Sequence, residues 1–433
     1  MFYDIQPVEH QENYKNMLKI LGSLSRLFSE AEEPYLYYRA HENIFAKYFE
    51  VNNNARHDDS VDAYDIHSDL GIGLKTWVGG DNQKVAEFGR LRPQYEHLTG
   101  MELIQTIAGY RNTRIRTTMN AHGLHEMLYH IVKRIPGMMQ IYEATFDYID
   151  IDNIAIDEER GNDNSVYFTD GKHTYHFSRS KNTLYMNFDD MELLGEFSVE
   201  IIADPYDLLL STFGYGDVAT PDDALEAFKT IEEPKKEQIC LRLYSTKKDG
   251  TKFVAKKSGL NQWNGSRSSC RENDDGERYT YKETKRNSNE VYIPYPAVDR
   301  ERWDDFFPPK DEKFDLLLPN GEWISAKVCQ NAYRKVSNEV FDEMSEYEKA
   351  IEDKKRKTGK AIMSNPNNVL GRWLLRDVLE LPEGKVITYE LLKEYGIDSV
   401  VFTRLDKGKY AIDFGELGTY EKFYGLKDID SED

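Results

Sequence analysis

Three short segments between residues 165 and 188 alternate polar and apolar side chains with a period of two. They cover residues 165–169, 174–178 and 183–188, and an Asp170-Gly171 pair separates the first two. This pairing of alternation with a tight-turn dipeptide is typical of a β-hairpin. The pattern predicts a three-stranded meander, so the chain cannot be an all-helical protein.

Helical spacing of apolar residues predicts α-helices near the N-terminus. Residues 8–30 form one amphipathic pattern, and a second helix that carries Glu42 is expected after Pro34. Further helices are predicted over 83–89 and 101–134. The N-terminal half is therefore expected to be α/β.

A change of composition around residues 214–237 marks a predicted domain boundary. We expect a first domain over 1–215, an acidic linker helix over 216–237, a mostly β domain over 238–415 and an acidic tail over 416–433. The β domain is predicted from strands near 239–244, 290–293, 313–318, 399–402 and 409–414. One well-marked helix is expected over 367–380.

The bulk composition limits the class of protein. None of the apolar runs approaches the roughly 20 residues of a membrane helix, and the first residues do not resemble a signal peptide. Three scattered cysteines suit neither a disulfide framework nor a four-cysteine zinc site. We therefore expect a cytoplasmic protein without a membrane partner.

The charge of the chain is unevenly distributed. The net charge is −21, yet residues 242–286 contain twelve basic and six acidic residues. A second basic run occupies residues 354–357. A solvated surface is the simple interpretation of either run, but a basic lobe on an acidic body is also compatible with a nucleic-acid enzyme.

A group of charged residues between 62 and 87 suggests phosphodiester chemistry. Asp62 opens one predicted strand, Lys75 lies inside the next, and Glu87 falls on the predicted helix that follows. Asp62 and Glu87 are expected to bind Mg²⁺, a hard cation that prefers oxygen ligands. Lys75 would stabilise the negative charge that develops on the phosphate.

Over residues 35–90 this arrangement resembles the PD-(D/E)XK nuclease family. The sequence departs from the family pattern where the acid two residues before the lysine is replaced by Gly73. The resemblance implies that the missing carboxylate comes from Glu87, twelve residues after Lys75, while Glu42 on the preceding helix is a further catalytic candidate. Which carboxylate completes the site is left open.

Other interpretations of this region compete with the nuclease hypothesis. Asp62 could be a turn acid and Lys75 an exposed strand residue, and Asp65 and Asp69 are neighbouring rivals for the metal-binding role. The HExxxH spacing that begins at His125 is one residue too long for a zinc helix, so ordinary partly buried helical histidines are expected there.

Three features stand out in the β domain: a polar loop around Trp263, Pro- and Phe-rich segments between 292 and 330, and an Asn-rich segment before Trp373. With these features, residues 238–415 resemble the C-terminal DNA-recognition domain of NgoFVII-type restriction endonucleases, a B3-like β pseudobarrel. The resemblance implies two arms that grip the major groove, a first arm (residues 257–271) and a second arm (residues 364–372). Asn and Gln can bond bidentately to adenine and Arg to guanine. The DNA-binding candidates are Lys257, Asn261, Gln262, Trp263, Asn264, Arg267, Arg271, Asn365, Asn367, Asn368 and Arg372.

Together the two resemblances imply a type II restriction endonuclease that cuts duplex DNA with Mg²⁺ and leaves 5′-phosphates. A homodimer is expected because both strands are cut, and a cognate methyltransferase is expected genetically but not as a bound subunit. Two alternatives are a nuclease that requires methylated DNA and a DNA-binding protein with an inactive nuclease fold.

Overall fold

The computed structural model describes residues 1–54, 59–65, 67–162, 164–212, 237–272, 278–303, 305–333, 336 and 338–426. The chain divides into two compact units, the first of residues 1–115 and 124–235 and the second of residues 116–123 and 236–433. All but the last residue of the predicted linker helix, and the acidic residues after 426, lie outside the described residues. Across the described ranges, no helix combines the length and apolar character needed to cross a membrane.

Five α-helices, three short 3₁₀ helices and eleven strands make up the part of the chain before residue 213 that the structure describes. The helices are α1 (Val8–Ser23), α2 (Tyr38–Phe49), α3 (Arg92–Tyr95), α4 (Gly100–His122) and α5 (Pro205–Thr212). The strands are β1 (Asn52–Asn53), β2 (Ala63–Asp65), β3 (Leu70–Val78), β4 (Asn82–Glu87), β5 (Glu126–Ile135), β6 (Met138–Thr145), β7 (Ala155–Asn162), β8 (Ser165–Thr169), β9 (Thr174–Ser178), β10 (Thr183–Asn187) and β11 (Glu192–Ser198).

These strands form two sheets. The first has the order β1-β2-β3-β5-β6-β11 and the second the order β4-β10-β9-β8-β7. Strand β3 is antiparallel to β2 and parallel to β5. A parallel pair needs a long crossover connection, and the segment that includes α4 supplies it. The predicted meander of β8, β9 and β10 is confirmed.

Two of the predicted helices of the first unit are wrong in part or in whole. The helix predicted over 101–134 ends at His122, and residues 126–135 form β5 instead. Gly123 has a φ of +70°, a left-handed conformation that is common just after the end of a helix. The segment predicted as a helix over 83–89 is mainly strand β4, which pairs with β10. The helices expected near residue 8 and after Pro34 are confirmed as α1 and α2.

The core of the first unit is built on the first sheet. Alternate residues of β3 point to opposite faces, so Ile72 and Leu74 join the apolar cluster that also contains Tyr14 of α1 and Phe45 of α2. The other face of the sheet carries Trp77, whose ring lies 5.3 Å from that of Phe188. Gly73 and Lys75 share this second face by the same alternation.

The second unit is dominated by β structure. Its α-helices in the described residues are α6 (Ala297–Arg302), α7 (Asn338–Glu343), α8 (Glu346–Arg356), α9 (Val369–Arg372, continued by a wider π turn over Trp373–Val378), α10 (Tyr389–Tyr395) and α11 (Thr419–Phe423). The unit also has a 3₁₀ helix over Gly259–Asn264, in the first arm. Its strands are β12 (Gln238–Arg242), β13 (Ser245–Thr246), β14 (Lys252–Phe253), β15 (Ser266–Glu272), β16 (Arg278–Lys285), β17 (Ile293–Pro294), β18 (Lys313–Leu317), β19 (Trp323–Asn331), β20 (Gly359–Ser364), β21 (Ile397–Asp406) and β22 (Lys409–Glu416).

Seven of these strands form one sheet that nearly closes on itself. Its order is β12-β21-β22-β18-β19-β20-β17, and the two outer strands, β12 and β17, come close to each other. The enclosed core includes Phe306, Phe402 and Trp373. The strands expected near 239–244, 313–318, 399–402 and 409–414 are confirmed as β12, β18, β21 and β22. The strand expected over 290–293 is wrong except at Ile293, where the short β17 begins. The helix predicted over 367–380 is present as α9 with its π turn. The start of the predicted tail is ordered domain structure, because Tyr420 of α11 is buried and donates a hydrogen bond to Asp299.

Candidate functional site

Asp62 immediately precedes β2 in the first sheet of the N-terminal unit. Its Oδ2 accepts a hydrogen bond of 2.7 Å from the backbone N–H of Leu74, and its own N–H donates to the carbonyl of Ile72. Burial raises the pKa of this carboxyl, while the positive charges of Lys75 and Arg39 act in the opposite direction. The side chain is therefore fixed from β3, close enough to Lys75 to sense its charge.

Glu42 belongs to the same electrostatic group. It lies on α2 with a side chain that is only 7% exposed, and its Oε2 accepts from Arg39 Nη1 over 3.1 Å. Burial raises the pKa of Glu42, and the negative charge of Asp62 raises it further, against the opposing effects of Arg39 and Lys75. The structure thus brings together three of the four residues predicted for the catalytic site.

An aromatic ring fills the space beside Gly73, where the PD-(D/E)XK pattern would place an acid. A Cβ atom on Gly73 would lie 2.9 Å from Cδ1 of Tyr129, which leaves no room for a side chain there. The Tyr129 ring stacks on Phe146 with centroids 4.0 Å apart, and Arg111 Nη2 donates to its hydroxyl over 3.3 Å. Burial raises the pKa of Tyr129, and the charge of Asp62 has the same effect. Sequence reasoning missed this tyrosine, because only the fold brings it onto Gly73.

The structure places Glu87 differently from Asp62 and Glu42. It ends β4, an outer strand of the second sheet, and its exposed carboxylate pairs with Lys84 on the same strand. The rival acids Asp65 and Asp69 border the turn between β2 and β3. Asp65 accepts from the N–H of His67 and the hydroxyl of Ser68, as in the turn interpretation of such acids.

The histidines that follow α4 do not share a helix. His125 lies before β5, is exposed and pairs with Asp69 over 3.2 Å. His130 lies inside β5, where it is fully buried and bonds to Glu143 over 3.1 Å and to the hydroxyl of Tyr14 over 3.0 Å. Tyr14 also bonds to His41, the neighbour of Glu42 on α2. This buried network ties α1, α2 and the first sheet together.

In the second unit, the first arm contains a mixture of buried and exposed candidates. Asn261 is fully buried, and its amide bonds to the backbone of Ala255 and Ile387. The prediction that Asn261 contacts a base does not fit this position. Trp263 is partly buried against the core.

Other residues of the first arm are accessible. Lys257 and Asn264 are exposed, and the side chain of Arg267 is 56% exposed. Asn264 donates to the carbonyl of Lys256. Arg271 lies on β15. Lys257, Asn264 and Arg267, unlike Asn261, lie where a nucleic acid could reach them.

The second arm is anchored at its base and polar along its length. The hydroxyl of the buried Ser364 accepts from the N–H of Leu370 over 2.9 Å, which closes the arm into a compact turn. Asn365 and Asn368 are partly exposed, and Asn368 precedes α9 without a side-chain capping bond. Arg372 is exposed at the end of α9. Amide and guanidinium groups at such positions suit contacts to base edges.

A buried carboxylate that the sequence did not reveal lies between the arms. Glu290 is 1% exposed and accepts from Arg267 Nη2 of the first arm over 3.4 Å and from Asn367 Nδ2 of the second arm over 2.8 Å. It also accepts from Arg286 and from the Tyr292 hydroxyl. One glutamate is therefore in contact with both predicted arms.

Comparison with known families identifies the class of the second unit. A nearly closed β barrel with two polar arms is the architecture of a B3-like DNA-binding domain. Residues 234–406 match the model of the NgoFVII C-terminal B3-like DNA-binding domain, which confirms the resemblance drawn from the sequence for this part of the chain. Among curated proteins, none matches the chain.

Proposed function

We propose that the protein is a type II restriction endonuclease, which recognises a duplex DNA sequence with its second unit and cuts it with its first. The observation that carries the proposal is the match of residues 234–406 to a restriction-enzyme DNA-binding domain. The electrostatic group of Glu42, Asp62 and Lys75 in the other unit supports the catalytic half. The expected reaction is hydrolysis of phosphodiester bonds that leaves 5′-phosphates.

The chemistry of Glu42 and Asp62 fits a divalent cation. Both carboxyls are partly or fully buried, and burial raises the pKa of each. A buried pair of carboxylates that repel each other gains stability from a cation with a preference for oxygen, and Mg²⁺ is such a cation. When bound, Mg²⁺ would supply Lewis-acid stabilisation of the charge that develops on the phosphate.

The remaining tasks fall to side chains of this chain. Lys75 carries a positive charge beside the carboxylates and would stabilise a non-bridging phosphate oxygen in the transition state. The bond from Leu74 N–H orients the Asp62 carboxylate, and Arg39 orients that of Glu42. Fixed dipoles and charges of this kind need not reorganise during the reaction.

Glu42 is favoured over Glu87 as the second carboxylate. The pKa of Glu42 responds to Asp62 and Lys75, whereas Glu87 ends an outer strand of the other sheet and pairs with Lys84. The crowding at Gly73 supports an acid that comes from another element. The same crowding also favours a second candidate function, a sequence-specific DNA-binding protein whose nuclease fold is inactive.

Incubation of the full chain with plasmid DNA tests the proposal. We expect discrete fragments from unmethylated plasmid with Mg²⁺, and intact plasmid with EDTA or with the Lys75→Ala variant. Lys84→Ala, which removes an exposed lysine of β4, is the matched control and should cut normally. Cutting of methylated plasmid alone would support a modification-dependent nuclease. Sequence-specific binding without cutting would support the inactive alternative.

Assembly is a further part of the proposal. Because both strands of one site must be cut, we expect a homodimer on DNA, and sedimentation of the protein–DNA complex would test this stoichiometry. A cognate methyltransferase is expected as a separate protein that protects the same sequence. Protection of plasmid from a host that carries such a methyltransferase is the corresponding test.

A further inference from the structure

Glu290 is a buried carboxyl group of the second unit whose two oxygens both accept hydrogen bonds. Its Oε1 accepts from Arg286 and from the Tyr292 hydroxyl over 2.6 Å, and its Oε2 accepts from Arg267 over 3.4 Å and from Asn367 over 2.8 Å. A carboxylate offers about four lone-pair sites, so these four donors fill them. Its 1% exposure excludes a direct contact with a base in this arrangement.

The first arm is tied to the residues just before Glu290 in more than one way. Besides the Arg267 contact, the side-chain amide of Gln262 lies against Arg286, and with its oxygen turned toward the guanidinium it accepts bonds of 3.2 and 3.3 Å. A Cβ atom on Gly265 would lie 3.0 Å from the carbonyl of Lys257. The first arm is therefore closely folded where it meets Arg286.

The second arm approaches the same segment from the other side. A Cβ atom on Gly371 of α9 would lie 1.9 Å from the carbonyl oxygen of Asn289, so only glycine allows this contact. Arg376 donates to the Asn289 side chain and to the carbonyl of Ser288. Residues 286–290 thus lie between the two arms and touch both.

We propose that Glu290 is a positioning residue that couples the two arms, so that they meet DNA as one recognition surface. The inference rests on the proposed DNA-reading function and names the residue that sets its geometry. Loss of the carboxylate would leave the mostly buried Arg286 and the partly buried Asn367 without this acceptor, which is costly. It would also remove the contact that holds the more exposed Arg267 of the first arm. Both arms should then lose their fixed positions together, although Glu290 itself touches no base.

The Glu290→Gln variant tests this coupling in the full chain. A glutamine places an NH₂ group against donors that need an acceptor, while it preserves the shape of the side chain. We expect faster amide hydrogen exchange in residues 259–267 and 364–370 together. Glu322→Gln, the same change at an exposed glutamate between β18 and β19, is the control and should leave both arms unchanged.

DNA binding supplies a second readout. A preferred duplex is first selected from a random-sequence pool with the wild-type chain. We expect Glu290→Gln to weaken binding to this duplex about 10- to 100-fold, the scale of one lost charge-assisted bond, with little change for a scrambled duplex. A purely structural loss of stability would weaken both duplexes alike. A thermal melting curve verifies that the variant is folded at the assay temperature.

Asn367→Ala serves if Glu290→Gln does not fold, since it removes one donor from the second arm. If Glu290 couples the arms, Asn367→Ala in the second arm should also speed amide hydrogen exchange in the first arm. Unchanged exchange in the first arm would overturn the inference, as would equal binding of the preferred duplex by Glu290→Gln and wild type. If the wild-type chain selects no duplex, the proposed function fails instead, and the exchange data alone support or overturn the coupling.

Discussion

The ring of Tyr129 occupies the place that a side chain on residue 73 would take, at 2.9 Å from a Cβ atom built on Gly73. The ring is held there by its stacking on Phe146 and by the bond from Arg111. The absence of a side chain at Gly73 is thus what gives the Tyr129 ring its space. The packing of Tyr129 and Phe146 therefore leaves no space for a side chain at residue 73.

We therefore expect that residue 73 cannot carry an acidic side chain. Gly73→Glu should lower the melting temperature and should not raise cleavage. Even Gly73→Ala should cost about 1–3 kcal/mol, the usual scale of overpacking. Gly109→Ala is the control, because a Cβ atom on Gly109 meets nothing within 4 Å and alanine favours the helix by about 1 kcal/mol. A stable, more active Gly73→Glu variant would contradict this explanation.

Cleavage should depend on Glu42 and not on Glu87. Replacing a residue that binds the metal or stabilises the transition state typically costs about 100-fold or more in rate. We expect a loss of this size for Glu42→Gln, Asp62→Asn and Lys75→Ala, with DNA binding retained. Glu87→Gln removes the same charge from an exposed strand end and should cut at nearly the wild-type rate. Single-turnover cleavage of a mapped duplex measures each rate. If Glu87→Gln loses activity and Glu42→Gln does not, the second carboxylate is Glu87 on β4 and not Glu42.

The raised pKa values of Asp62 and Glu42 predict a definite sign of pH dependence. A carboxyl with a raised folded-state pKa binds protons more tightly when folded, so its contribution to stability is full below its ordinary value, 3.8 for Asp62, and is lost as the pH rises through the raised value. Without metal, Asp62→Asn should therefore melt higher than wild type at pH 7, by roughly 2–4 °C if the gain is about 1 kcal/mol. This difference should shrink toward pH 4.

Melting curves in EDTA between pH 4 and pH 8 measure this difference. The exposed Asp152→Asn variant of the same unit is the control and should track wild type throughout. Mg²⁺ should stabilise wild type but not Asp62→Asn, because the cation needs the carboxylate. A lower melting temperature of Asp62→Asn at pH 7 in EDTA would contradict the assigned sign.

Elements whose pattern lies within a few neighbouring residues could be predicted from the sequence, whereas elements set by contacts between distant residues could not. The meander was predictable from alternation and one Asp170-Gly171 turn, and α2 with Glu42 from helical spacing. The end of α4 was also within reach, since the His122-Gly123 pair is a common way to end a helix. Strand β4 was not, because only its pairing with β10 makes it a strand.

Side-chain roles were harder to predict than elements. An amide-rich loop looks the same in sequence whether its amides face DNA or the protein interior, and Asn261 faces the interior. Glu290 stands in no motif, and its importance comes from contacts with Arg267 and Asn367, which are 23 and 77 residues away in sequence. Distances of this kind are set by the fold and leave no local pattern.

Asn261 and Arg267 should therefore respond differently to substitution. Asn261→Ala leaves the backbone of Ala255 and Ile387 without partners, so it should destabilise the second unit by about 1–3 kcal/mol. Arg267→Ala removes a mostly exposed side chain and should leave stability nearly unchanged. Its effect should be on sequence preference, with about 1–3 kcal/mol of discrimination lost at one base pair. Melting curves and selection from a random-sequence pool separate the effect on stability from the effect on sequence preference. If both variants changed stability and sequence preference in the same way, the different roles of Asn261 and Arg267 would be wrong.

The basic run 354–357 should contribute affinity without sequence preference. Lys354 and Lys357 line a cavity of about 960 Å³ together with Lys313 and Lys407, a surface rich in positive charge. Contacts between lysine and phosphate release counterions, so each lost contact lowers the slope of log K against log salt by about 0.9. If both residues contact phosphates, the double variant Lys354→Ala, Lys357→Ala should bind all duplexes more weakly and show a slope smaller by about 1.8. Affinity measured between 50 and 200 mM salt tests this, since an unchanged slope would show that the cavity does not face the DNA backbone.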